Sequence, residues 1–171
     1  GSTINLTGQA EGFTITGNNA GDIITGGSGA DIIAGKGGND TLTGGGGADL
    51  FKIETATDSI TDLTTGDNFQ VSASATLNAT GITGFSAGGT TTNHSTGTAN
   101  LHTHTSSGGT IDMSGAGSGV YKIFVGAGTD NVKGFTGNDT ITISNAGEGD
   151  ADTIDGHGGT GDVLKLSTGT H

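Results

Sequence analysis

A chain of 171 residues with 37 Gly, no Pro, Cys or Trp and 29% hydrophobic residues holds too little apolar material for a conventional globule, because Gly gives up the most backbone freedom on folding. Composition leaves disorder, a thin repetitive solenoid, or a fold stabilised by something other than a hydrophobic core. The net charge of −12, from 17 acidic residues against 5 Lys, excludes nucleic acid and anionic lipid as partners and invites cations; six divalent ions would cancel it. No apolar run is long enough to cross a membrane and no signal peptide is visible, so the chain is expected to be an excerpt without membrane insertion.

Along the chain, Asp recurs at 22, 31, 40, 49, 58 and 67, nine residues apart each time. Two positions after each Asp stands an apolar residue: Ile24, Ile33, Leu42, Phe51, Ile60 and Phe69. The register extends back to Ile15 and Leu6. Each unit predicts a tight glycine turn followed by a three-residue strand whose central apolar residue points inward. Two units make one coil, so Asp22, Asp40 and Asp58 stack on one edge and Asp31, Asp49 and Asp67 on the other. Stacked strands lie about 4.8 Å apart, and carboxylates at that spacing repel by roughly 0.9 kcal/mol per pair even in water. A cation between them removes the repulsion. Carboxylates plus turn carbonyls form a hard oxygen set, which suits Ca²⁺. The candidate ligands are Asp22, Asp31, Asp40 and Asp49 with the turn glycines Gly26, Gly27, Gly29, Gly35, Gly37, Gly38, Gly44, Gly45 and Gly47.

The units Gly26 to Ala34 and Gly44 to Lys52 follow Gly-Gly-x-Gly-x-Asp-x-apolar-x throughout, and the unit Gly35 to Thr43 departs only at Lys36. This phrase resembles the nonapeptide of RTX (repeats-in-toxin) proteins, a known Ca²⁺-binding β-helix repeat. The resemblance implies an all-β, right-handed parallel β-roll or β-helix solenoid stabilised by several Ca²⁺ ions. It also implies export through a type I secretion apparatus and folding on meeting extracellular calcium. The absence of Cys fits an exported bacterial protein.

Residues 3–72 form the first copy of this grammar, and residues 110–167 a diverged second copy in which the order of phrases is kept while spacings shift. Thr3-Ile4-Asn5-Leu6-Thr7-Gly8 matches Thr110-Ile111-Asp112-Met113-Ser114-Gly115, and Asn39 to Thr43 matches Asn138 to Thr142. Candidate ligands here are Gly126, Gly128, Asp130, Gly137, Asp139 and, in a unit from Gly147 to Asp152 that follows a four-residue insertion, Asp152; Asp162 follows ten residues later. This ladder is expected to hold fewer or weaker ions. Between the copies, residues 73–109 read either as a Ser/Thr/Gly-rich linker or as an ion-free solenoid coil with Leu77, Ile82 and Phe85 inward.

The Thr-Ile-Asp-Met-Ser phrase also resembles, more loosely, the calcium-binding regions of bacterial surface-layer (S-layer) proteins. Gly84 to Gly88 fits G-x-S-x-G, but without an α/β domain around it the match is read as accidental. His94, His102 and His104 read as solvated loop residues rather than a transition-metal site. The outward Thr rows read as β-favouring surface. The chain is therefore expected to be a non-enzymatic, calcium-binding structural module at the bacterial cell surface, in an S-layer or large adhesin, with calcium and further copies of itself as partners. The alternative is the secretion and folding-aid region of an exported protease or lipase. Whether His171 is the native C-terminus is left open.

Overall fold

The computed structural model describes residues 1–143 and 151–166. The Gly147 to Asp150 phrase and His171 lie outside the described residues. The described residues form strands and turns throughout: β1 (Thr3–Asn5), β2 (Thr14–Thr16), β3 (Ile23–Thr25), β4 (Ile32–Ala34), β5 (Thr41–Thr43), β6 (Leu50–Ile53), β7 (Thr57–Ile60), β8 (Asn68–Val71), β9 (Thr76–Ile82), β10 (Gly84–Ser86), β11 (Thr92–Asn93), β12 (Thr98–Thr103), β13 (Thr110–Asp112), β14 (Tyr121–Val125), β15 (Asn131–Lys133), β16 (Thr140–Ile143), β17 (Thr153–Asp155) and β18 (Val163–Leu166). They pair in parallel into three sheets. One is nine-stranded, in the order β1-β3-β5-β7-β9-β12-β14-β16-β18; one is five-stranded, β11-β8-β6-β4-β2; one is four-stranded, β10-β13-β15-β17.

Up to β8 the chain alternates between the nine- and five-stranded sheets, advancing 20 residues from β1 to β3 and 18 per coil thereafter. The coils then widen. β10 enters the four-stranded sheet, β11 returns to the five-stranded one, and β12 rejoins the long sheet. In this stretch Asn100 bonds Asn78 across a 22-residue advance. From β14 onward the chain alternates between the nine- and four-stranded sheets. Residues 73–109 are thus built as solenoid coil, and the nine-stranded sheet runs unbroken through the two copies and the segment between them. The paired opening phrases do not occupy equivalent places: Thr3 to Asn5 lies in the long sheet and Thr110 to Asp112 in the four-stranded one.

The interior follows the repeat. Ile15, Ile24, Ile33, Leu42, Phe51, Ile60 and Phe69 are all buried, each at the centre or near the end of its strand. In the first coil the register differs from the nine-residue extrapolation: Ile4, not Leu6, pairs with Ile24, because that coil is two residues longer. β7 also begins early, since Glu54 to Ala56 is a short turn without glycine. Where the third face opens, aromatic rings supply the volume. Phe69 stacks on Phe85 at 5.9 Å and meets Tyr121 edge-on at 6.1 Å, and Tyr121 meets Phe135 at 6.0 Å. The buried Tyr121 hydroxyl donates to the Ser118 carbonyl, and burial raises its ionisation well above the ordinary phenol range.

Stacked turns fall into two backbone classes. In the turns 17–22, 26–31 and 134–139 no residue has positive φ, whereas the turns stacked on them use it twice: Lys36 (77°) and Gly38 (92°), Gly45 (95°) and Gly47 (105°), His157 (65°) and Gly159 (92°). Lys36, the one departure of its unit from the nonapeptide, therefore stands where a side chain is strained. Left-handed backbone costs an L-residue roughly 1–2 kcal/mol, partly offset by the greater unfolded-state freedom of Gly. Replacing Lys36 by Gly is expected to stabilise the calcium-loaded fold by about 1 kcal/mol in denaturant unfolding, with Lys36→Ala giving no such gain.

Candidate metal centre

The two Asp columns form as the spacing requires, and each is a hydrogen-bonded ladder. The peptide N–H of Asp22 donates to Asp40 Oδ1 (2.7 Å) and that of Asp40 to Asp58 Oδ1 (3.0 Å). On the opposite edge Asp31 N–H donates to Asp49 Oδ1 (2.8 Å) and Asp49 N–H to Asp67 Oδ1 (2.9 Å). Each carboxylate thus clamps the backbone of the coil before it. All six side chains are at most 3% exposed.

In the first class of turn the second carboxylate oxygen folds back onto its own turn. Asn18 N–H donates to Asp22 Oδ2 (2.7 Å), Gly27 N–H to Asp31 Oδ2 (2.9 Å) and Phe135 N–H to Asp139 Oδ2 (2.6 Å). The glycine that opens each of these turns makes a cradle. A Cβ added to Gly17 would lie 2.4 Å from Asp22 Oδ2 and 2.6 Å from the Gly35 carbonyl. At Gly26 the distances are 2.3 Å to Asp31 Oδ2 and 2.3 Å to the Gly44 carbonyl, and at Gly134 they are 2.6 Å to Asp139 Oδ2 and 2.7 Å to the Gly156 carbonyl. In three places, then, a carboxylate oxygen and a carbonyl oxygen of the next coil converge beside a residue that must lack a side chain. This donor set fits a hard cation. Among the described residues no three His, Cys, Asp or Glu side chains cluster as a metal site, so backbone carbonyls are needed to complete any coordination shell.

The other glycines named from the sequence line the same stacked turns. Gly27 and Gly29 pack against Gln9 and Glu11 of the first coil, Gly37 and Gly38 against Asn19 and Ala20, and Gly45 and Gly47 against Gly27 and Gly29. Gly35 and Gly44 open the second-class turns, with Asp40 Oδ2 and Asp49 Oδ2 beside them. In the second region Gly109 N–H donates to Asp130 Oδ1 (2.7 Å) and Asp130 N–H to Asp152 Oδ1 (3.0 Å). Gly126 bonds the Thr103 hydroxyl, Gly128 packs on Gly108, and Gly137 packs on Gly119.

Two aspartates belong to this machinery although the repeat spacing did not single them out. Asp162 Oδ1 accepts from Asp139 N–H (3.0 Å) across a 23-residue coil, a length that breaks the nine-residue count. Asp62 caps the turn of Asp49, accepting from Gly44 N–H (2.9 Å) and Gly45 N–H (2.8 Å). The histidines are dispersed. His102 stacks face to face on Phe124 at 4.3 Å, and His104 Nδ1 accepts from the Ser106 and Ser107 amides.

Crowding of like charge in a dry edge sets the electrostatics. Burial, with the charges of Asp67, Asp31 and Asp62 nearby, raises Asp49 to about 6; burial and the Asp40 carboxyl raise Asp58 to about 7. Burial also raises Asp139. Asp22 moves the other way, held low by the Asn18 and Ser2 amides.

Two outcomes follow. Gly26→Ala pushes a methyl group into the cradle and is expected to weaken calcium binding at least about tenfold for one ion, a loss of about 1.4 kcal/mol, read by calorimetric titration. Because the folded-state values of Asp49 and Asp58 lie above the ordinary 3.8, the cation-free fold binds more protons than the unfolded chain between those values, and its stability rises as pH falls from about 7 towards 4. With calcium bound, protons compete with the ion and acid destabilises. Thermal melts in chelator and in calcium at about pH 7 and about pH 5 should therefore shift in opposite directions.

Residues 16–51 and 122–142 match the family model of the RTX calcium-binding nonapeptide repeat (4 copies). No curated protein and no solved structure matches the chain. The matched segments cover the turns that carry Asp22, Asp31, Asp40, Asp49, Asp130 and Asp139. Repeat, parallel coil and oxygen cradles agree: the chain carries RTX calcium-binding nonapeptide repeats, and they are wound into a parallel β-roll.

Proposed function

We propose that the chain is a non-enzymatic structural module of a secreted bacterial cell-surface protein, an S-layer or large adhesin, that folds on extracellular Ca²⁺ after type I export and then assembles with further copies of itself. The observation that carries this reading is the pair of buried Asp columns. Six carboxylates, each at most 3% exposed, stand beside other carboxylates, so the packed state is favoured when cations are abundant and opposed when they are scarce. The scarcity of calcium in the cytosol then keeps the chain open for export, and extracellular calcium closes it. Asp22, Asp31, Asp40, Asp49, Asp130, Asp139 and Asp152 supply carboxylates in this scheme and the turn glycines supply carbonyls.

Far-UV circular dichroism in chelator, followed by titration with Ca²⁺ and separately Mg²⁺, tests the folding step. A cooperative coil-to-β transition with Ca²⁺ alone is expected, and a β-rich spectrum indifferent to Ca²⁺ would sink the reading. Light scattering on the same sample tests assembly. Calcium-dependent growth is expected, whereas a monomer at all calcium levels would favour the accessory region of an exported enzyme.

A further inference from the structure

Charge on the outside of the roll is divided by face. Among the described residues, the strands of the nine-stranded sheet contain one carboxylate, Asp58, and it is buried. Their lysines are Lys122 on β14 and Lys165 on β18, and both are exposed. Phe124, two residues after Lys122, stands in one register column with Thr142 and Lys165. Its ring stacks on that of His102, and both rings are partly exposed. Burial lowers the ionisation of His102, so the stack is an uncharged pad beside the two lysines. The four-stranded sheet has the opposite sign. Asp112 on β13, Lys133 on β15 and Asp155 on β17 share one register column, one residue on from Ile111, Val132 and Ile154 of the interior, and therefore face outward. Oδ1 of Asp112 accepts from the Ser114 amide and hydroxyl, and Oδ1 of Asp155 from the His157 amide. Neither set of bonds uses Oδ2.

The two faces share one spacing. Both are parallel ladders whose strands lie about 4.8 Å apart. Lys122 and Lys165 are separated by two strand steps, with β16 between them, and Asp112 and Asp155 by two strand steps, with β15 between them. Each pair therefore spans about 10 Å along the roll. The strand between the lysines, β16, has the sequence Thr-Ile-Thr-Ile and carries no charge, so Lys133, between the aspartates, would meet no like charge opposite it.

We propose that the occupant of the lysine-bearing face is a second copy of this chain: the four-stranded face of one copy packs on the nine-stranded face of the next, with Asp112 and Asp155 set against Lys122 and Lys165 and the His102–Phe124 rings between the copies. The contact rests on the reading that the chain assembles with itself, and it names the surfaces that do so. The rings supply the aromatic area that interfaces concentrate at their centres, and the ion pairs supply the charged rim and the register. Each copy gives one face to each neighbour, so the contact is heterologous and repeats from copy to copy, as an extended array requires. It depends on calcium through the fold, because the coil that sets β17 on β15 is the one in which Asp130 bonds Asp152.

The test is calcium-dependent light scattering of the full chain and of two charge-reversed variants, one carrying Lys122→Glu with Lys165→Glu, the other Asp112→Lys with Asp155→Lys. Circular dichroism in calcium checks that each folds. Either variant alone sets like charges against each other and is expected to need at least about tenfold more protein before growth begins. An equal mixture of the two is expected to grow as the parent does, since each reversed face then meets its reversed complement. A role in folding alone cannot produce rescue by mixing. Variants that grow like the parent overturn this contact and leave self-assembly standing, and variants that fail singly without rescue in the mixture overturn it as well. If charge reversal prevents folding, Lys122→Gln at its exposed position decides: growth identical to that of the parent overturns the contact, and a several-fold higher threshold supports it. A parent that stays monomeric in calcium removes the reading of self-assembly and this contact with it.

Discussion

The interaction on which the structure depends is the bond from the peptide N–H of one ladder aspartate to the carboxylate of the aspartate in the next coil. Asp22 to Asp40, Asp31 to Asp49 and Asp49 to Asp67 repeat it with donor–acceptor distances between 2.7 and 2.9 Å. It sets the stacking register of the turns and buries each carboxylate. It also brings like charges within one coil spacing of each other. The same bond that orders the roll therefore creates its electrostatic cost, and a cation is what reconciles the two.

The apolar interior is subordinate to this arrangement. In the narrow coils each strand offers essentially one inward side chain, such as Ile24, Ile33 or Leu42. A column one residue wide cannot order so many glycines by hydrophobic burial alone. In the wider middle coils the balance shifts. There Phe69, Phe85, Tyr121 and Phe135 fill a larger cross-section, and Asn78 and Asn100 form a side-chain ladder on the outside. No aspartate is buried between Asp67 and Asp130, and there the packed core carries the solenoid across the lapse in its metal-binding grammar.

The two turn classes show how a repeat of nearly uniform sequence makes non-uniform sites. Turns 17–22, 26–31 and 134–139 tie the second oxygen of their aspartate to a local amide. The turns stacked on them rotate two residues into positive φ; at Asp40 that oxygen is left without a donor, and at Asp49, Asp62 takes the turn amides instead. The glycines at these turns are required by the approach of the neighbouring coil, which leaves no room for a Cβ at Gly26 or Gly134.

The sequence by itself determined the strands centred on Ile15, Ile24, Ile33 and Leu42, the two Asp columns and the oxygen chemistry, because a nine-residue lock between Asp and an apolar residue admits few other readings. Only the tertiary structure decided that residues 73–109 continue the solenoid, that Ile4 rather than Leu6 opens the core column, and that Asp162 pairs with Asp139. These depend on coil length. A coil of 20, 22 or 23 residues keeps parallel pairing by enlarging a turn or adding a face, at no cost to the hydrogen-bond ladder, yet it erases the period on which a sequence reading relies. The role of Asp62 was hidden for a related reason: it acts from outside the repeat position, on amides that only the stacking of the coils brings to it.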